Sequence, residues 1–139
     1  MIIVDTNVAS ELMKPSPDAA VRDWVRVRPG DELSTTSITV AEIRYGIDRL
    51  PAGHRRDLLN ETADHVFAAF QDQVLSFDAA AATHYATIVI RRERAGLPID
   101  GFDAQIASIC HTHGAALATR NLKDFEGTGI DVIDPWRPA

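Results

Sequence analysis

The stretch that decides the fold is the first, Met1-Ile2-Ile3-Val4-Asp5-Thr6-Asn7-Val8, "MIIVDTNV". Ile2, Ile3 and Val4 are β-branched and lack polar alternation, which marks a strand covered on both faces, the habit of parallel sheets whose crossover helices bury both sides. Asp5 stands at the carboxyl end of that strand. Ligands of open α/β sheets bind in the crevice beyond those ends, so an acid there is either a site residue or a helix cap.

Outward from this stretch, strand-like and helical runs alternate, and no repeat, low-complexity tract or linker interrupts them. Helices are predicted over "VASELM" (8–13), from Pro17 with Val21, Trp24 and Val25 on one face, and over "TVAEIRYGIDRL" (39–50), where Val40, Ile43, Ile47 and Leu50 recur at helical spacing. Further helices are expected over about 55–70, from an Asp78 cap to Arg94 with Gly96 and Pro98 as its stop, and over "FDAQIASICHTH" (102–113), closed by Gly114. "ELSTTS" (32–37), "VLSF" (74–77), "AALAT" (115–119) and "IDVID" (130–134) read as strands. The fold class is therefore α/β: a sheet of four or five parallel strands between helical layers, with the carboxyl ends gathered at one edge. Asp5 and the turn Thr119-Arg120-Asn121 share that edge.

The 139 residues suffice for one domain, 1–139, and a composition of 45% hydrophobic and 24% charged residues suits a globular core. No basic stretch leads into an apolar run and a cleavage site, and no segment suits a membrane span, so a cytoplasmic location is expected. Cys110, the single cysteine, cannot form an internal disulfide. A formal charge of −6 argues against holding nucleic acid by bulk electrostatics. Only Lys14 and Lys123 are lysines. Arg55-Arg56 and Arg91-Arg92-Arg94 read as solvated helix faces with local pairs such as Arg94 with Glu93, or as contacts for a phosphate backbone.

The acids carry the chemistry. Glu42 lies three residues after Thr39, the spacing of a capping box, and Asp103 lies three residues after Asp100, a candidate cap. Each has a structural reading alone; three acids at element ends on one sheet edge favour a shared site. Such a cluster without nearby Lys or Arg repels itself unless cations occupy it, and a hard divalent ion suits an all-oxygen set. Phosphodiester hydrolysis is the natural chemistry, since bound ions polarise a phosphoryl oxygen and lower the pKa of water. Cys110, His111 and His113 lack zinc-site spacing, and Trp24 and Trp136 read as packing residues, with an RNA role requiring exposure near the acidic edge.

Four segments, "MIIVDTNV", "SITVAEIRYGI", "FDAQIASI" and "LATRNLKDF", resemble in order and spacing the signature segments of PIN-domain ribonucleases, and among these the VapC-type toxins of bacterial toxin–antitoxin pairs, including the FitB-like branch. The resemblance implies a three-layer α/β/α sandwich, a Mg²⁺- or Mn²⁺-dependent endoribonuclease site acting on RNA, and a homodimer. It also implies a cognate VapB-type antitoxin whose basic segment enters the acidic site, in a heterotetramer or larger complex that meets DNA only through the antitoxin. On this resemblance Asp5, Glu42 and Asp103 are the metal-binding and catalytic acids, with Thr6, Asn7 and Thr119 as supporting hydrogen-bonding residues. The chain departs from the pattern at Asn121, where many relatives carry a fourth acid; its amide can hold water, and Asp124 or Asp100 can supply the missing charge. Arg120 and Lys123 are candidates for steadying the RNA backbone. Two other readings stand beside this one: a haloacid-dehalogenase-type phosphatase, whose second Asp is replaced here by Asn7, and a non-catalytic interaction protein of an operator-binding complex.

Overall fold

The protein is described by a computed structural model covering residues 1–138. Five parallel strands form one sheet in the order β3-β2-β1-β4-β5, with β1 at Ile2–Val4, β2 at Leu33–Thr36, β3 at Val74–Leu75, β4 at Ala116–Ala118 and β5 at Val132–Ile133. Ile3 faces Ser34 on one side and Leu117 on the other. The helices are α1 (Thr6–Leu12), α2 (Ala19–Arg26), α3 (Ser37–Asp48), α4 (His54–Ala68), α5 (Ala79–Arg94) and α6 (Gly101–His113).

Alternation along β1 splits the core into two layers. Ile3 points into a cluster with Ile88, Ile106, Ile109 and Leu117 under α5 and α6, whereas Ile2 and Val4 point into one with Val8, Val21, Trp24 and Phe70 under α1 and α2. A third cluster, built by Ala9, Ile43, Ile47 and Ala63, locks α1, α3 and α4 together. The result is the expected three-layer α/β/α sandwich, with all five strands present.

Several local expectations are corrected. α1 begins at Thr6, directly on Asp5, two residues before the predicted start, because the Asp5 side chain accepts the Thr6 N–H and ends the strand itself. α3 is capped by Thr36, which accepts the Thr39 N–H, so Thr39 is inside the helix and Glu42 lies in its second turn; the Thr39–Glu42 capping box does not form. Asp100 occupies the cap position of α6 without a capping hydrogen bond. Asp78 does cap α5 through the Ala81 N–H, and Gly114 closes α6 in the left-handed conformation at φ 59°. Arg92 is neither a solvated residue nor a phosphate contact: it is buried and donates to the carbonyls of Lys123 and Glu126, bracing the 3-10 turn Leu122–Phe125. Arg94 and Glu93 form no ion pair among the described residues.

The strand order fixes where a site belongs. From β1 the chain moves outward to β2 and β3, then returns to the opposite side of β1 to lay down β4 and β5. The direction of winding reverses between β1 and β4, and in open parallel sheets the crevice beyond the carboxyl ends at such a switch point is where ligands bind.

Candidate active site

The two residues that flank this switch point are Asp5, just after β1, and Thr119, just after β4, and they are hydrogen-bonded to each other. The Thr119 hydroxyl donates to Asp5 Oδ2 at 2.9 Å, while the Thr6 N–H donates to Oδ1 at 2.8 Å. Asp5 is 4% exposed, so its carboxylate is held rigidly rather than swinging in solvent. Burial pushes its pKa up, the bonds from Thr6 and Thr119 pull it down, and the negative charge of Asp124 pushes it up again.

Glu42 reaches the same place from α3. Its Oε1 accepts the Thr6 hydroxyl at 2.9 Å, and that hydroxyl also lies 3.2 Å from Thr39 Oγ1. Thr6 therefore touches both acids, through its backbone to Asp5 and through its side chain to Glu42. Desolvation raises the pKa of Glu42, the bond from Thr6 lowers it, and the charges of Asp5 and Asp100 raise it.

Asp103 enters from the first turn of α6. It is half-buried, and desolvation together with repulsion from Asp5, Asp100, Asp124 and Glu42 pushes its pKa up to about 7. Five carboxylates thus converge closely enough on one edge to disturb one another, and none of them forms an ion pair among the described residues. Asp100 and Asp124, both exposed, belong to this field.

Asn7 and Thr119 form the floor. The Asn7 amide donates to Thr119 Oγ1 at 3.2 Å and its carbonyl accepts the Arg120 N–H at 3.2 Å, while the Asn121 N–H donates to Thr119 Oγ1 at 3.1 Å. With both ends of its side chain engaged, Asn7 is a clamp between α1 and the β4 turn, not an acid–base group. Thr119 is fully buried at the centre of these bonds. Thr119→Val, which keeps the volume and deletes the hydroxyl, is expected to cost about 1–3 kcal/mol by leaving buried partners unpaired. Chemical denaturation measures it.

The donor set is all oxygen, which fits a hard ion and no soft one. Among the described residues no three His, Cys, Asp or Glu side chains are already drawn together as a metal-binding group. An ion here fits as Mg²⁺ commonly binds, on one or two carboxylates with water completing its shell, and its charge would relieve the repulsion that raises Asp103. Asp5 and Asp103, with Glu42 beside them, are the residues that could hold it. His111 of the "CHTH" segment instead packs edge-to-face on His84, with ring centroids 4.3 Å apart.

Comparison with known proteins decides the family. Residues 2–129 match the PIN domain. The chain belongs to the PIN-domain family. It is 41% identical over 140 residues to the VapC ribonuclease Y4jK of Sinorhizobium fredii, covering all of both chains, and 32% identical over 137 residues to the toxin FitB of Neisseria gonorrhoeae, covering 98% of this chain and 99% of that one. Among solved structures it resembles the FitAB complex bound to an IR36 DNA fragment, with a TM-score of 0.92 at 31% identity over 100% of this chain and 98% of that one. Within the PIN family it is of the VapC and FitB toxin type, which removes the phosphatase alternative.

Two features of this edge escape a reading of the sequence. The Thr6–Glu42 bond joins residues 36 apart, and the Trp136 ring lies under the Arg120 guanidinium, 4.9 Å from centroid to carbon, although Trp136 reads as simple packing. The signal for the second was the short spacing from "IDVID" to Trp136, which ties the indole to whichever edge that strand ends on.

Proposed function

We propose that the chain is a divalent-metal-dependent endoribonuclease, the toxin of a toxin–antitoxin pair, and that Asp5, Glu42 and Asp103 form its catalytic site with Mg²⁺ or Mn²⁺. The observation that carries this reading is the convergence of unpaired carboxylates at the β1–β4 switch point, with Asp103 raised to about 7 by burial and by its neighbours' charge. A divalent ion bound there supplies Lewis-acid polarisation of the phosphoryl oxygen and a water acidic enough to attack near neutral pH.

The chain's own residues do the rest. Asp5, fixed by Thr6 and Thr119, presents a carboxylate of defined orientation, and Glu42 is held beside it by Thr6. Asp103, with its pKa near neutrality, would be held as a carboxylate by a bound cation. Arg120 and Lys123, exposed on the following turn, offset the negative edge and receive phosphates of the substrate. Asn121 brings a neutral amide where, on the resemblance, many relatives carry a fourth acid. Asn121→Asp is accordingly expected to lower the half-saturating Mg²⁺ concentration for cleavage about tenfold, because one more carboxylate faces the ion. A metal titration of the cleavage rate checks it.

The antitoxin partner follows from the FitAB likeness together with one surface. A groove lined by Met13, Ile43, Ile47, Leu50 and Leu59 runs between α1, α3 and α4 and ends at Thr6 and Glu42. An apolar antitoxin segment seated in it brings a following arginine to the acids, where it pairs with the carboxylates and competes with the metal.

The test is cleavage of total RNA by purified, antitoxin-free protein with and without EDTA, followed by analysis of the ends. Water as nucleophile leaves linear phosphate ends; 2′,3′-cyclic phosphates or cleavage in EDTA would refute the reading.

A further inference from the structure

After β5 the chain makes a tight turn, Asp134-Pro135-Trp136-Arg137. The Trp136 N–H donates to Asp134 Oδ1 at 2.9 Å and the Arg137 N–H to the Asp134 carbonyl at 3.1 Å. Because Ile133 of β5 lies opposite Ala118 of β4, this turn leaves the sheet from the same edge as Thr119 and Arg120. The half-buried indole packs against the core layer that contains Val4 and Val8, and the Arg120 guanidinium lies 4.9 Å from its ring centroid. Arg120 is thus gripped twice, at its backbone by Asn7 and at its head by Trp136.

These residues line a cavity of about 660 Å³ together with Asn121, Lys123, Asp124 and Arg137. Asp124 is its one member of the acidic field, and Asn121 ties its wall to the site through Thr119, which accepts the Asn121 N–H and donates to Asp5. Arg120, Lys123 and Arg137 form no ion pairs among the described residues. Asp124, Glu126 and Asp134 border the same space and cancel much of the positive charge, so bulk attraction for a polyanion is weak there. What remains is planar recognition. A guanidinium backed by an aromatic ring offers a flat face on which an unstacked base can lie, with neighbouring arginine and lysine heads for its phosphate. A base inside a duplex cannot reach such a face.

We infer that Trp136 is a positioning residue that holds Arg120 flat over this cavity, and that the cavity receives an unpaired RNA nucleotide next to the phosphodiester at the acids. The inference rests on the ribonuclease reading for its orientation and adds to it a positioning residue, Trp136, and the subsite it builds with Arg120.

Binding in an Asp5→Asn background tests it without cleavage. The probe is a fluorescein-labelled, mixed-sequence single-stranded RNA of about ten nucleotides, beside the same sequence as a duplex, read by anisotropy. Trp136→Ala and Arg120→Ala are each expected to weaken single-strand binding about tenfold, and the double variant to lose little more, since both remove one platform. Trp136→Phe should retain most of the affinity. Arg137→Ala should flatten the slope of log affinity against log salt by about 0.7.

Unchanged binding in Arg120→Ala overturns the inference even if Trp136→Ala unfolds, and so do fully additive losses or a preference for duplex. Cleavage with KM unaltered in Trp136→Ala and Arg120→Ala refutes the cavity alone. Trp136-dependent binding by a protein with no metal-dependent cleavage refutes the nuclease reading and leaves the cavity standing.

Discussion

Asp5→Asn is expected to lower RNA cleavage by more than about a hundredfold while leaving the fold intact and its thermal midpoint unchanged or raised. The separation follows from what the carboxylate does in each role. As the cap of α1, Asp5 accepts the Thr6 N–H, and Asn is an equally good cap, so the helix start survives. The Thr119 hydroxyl donates to the other oxygen, Oδ2, where Asn puts an NH2, so that one bond is lost, and the relieved repulsion described next offsets its cost. What Asn lacks is charge. Removing it takes away one of the carboxylates proposed to hold a divalent ion and at once relieves the repulsion that Asp5 exerts on Glu42 and Asp103. A stabilised and inactive variant is the signature of a residue kept for function at a cost to the fold. Circular dichroism melting beside an RNA cleavage assay reads both halves.

The second large effect concerns pH and metal together. Asp103 has its pKa raised from 3.8 to about 7 in the folded chain, by burial and by Asp5, Asp100, Asp124 and Glu42. Between those two values the folded state retains a proton that the unfolded state has released. The folded state therefore binds more protons, so stability falls as pH rises through this window, and the penalty is complete above about pH 7. Asp5 and Glu42 are shifted in the same direction and add to the slope. A divalent ion replaces the proton as the neutralising charge. Millimolar Mg²⁺ is expected to raise the melting temperature on the order of 5 °C at about pH 8 and to do little at about pH 5, where Asp103 already carries a proton. Asp103→Asn should flatten both the pH slope and the Mg²⁺ response. Equal stabilisation by Mg²⁺ at both pH values would contradict the assignment of the ion to these acids.

The centre of this candidate site is legible in the sequence because the relevant signals are local. An unbroken apolar strand followed by an acid says both that the sheet is parallel and that Asp5 lies at its carboxyl edge. Glu42 was legible as a residue of interest, but its setting was not. Thr36, Ser37 and Thr39 are all acceptable helix starters, and which one caps α3 depends on where β2 stops pairing. Strands of two or three residues, such as β3, β4 and β5, are too short to carry a period, so their exact pairing is a tertiary outcome. That pairing is what brings Trp136 to Arg120. The burial of Arg92 escapes the sequence for a related reason. Arginine is usually exposed, and its burial here is decided by the carbonyls of Lys123 and Glu126, more than thirty residues away.

The central claim is that one divalent-ion site made by Asp5, Glu42 and Asp103 is the cleavage site. Calorimetric titration of Mn²⁺ into the wild-type chain and Asp5→Asn, run beside RNA cleavage at the same ion concentrations, tests it most directly. The expected result is a binding midpoint that coincides with the midpoint for cleavage in the wild type, with both lost in Asp5→Asn. Cleavage that persists in Asp5→Asn, or that saturates at ion concentrations where no binding is measured, would contradict it.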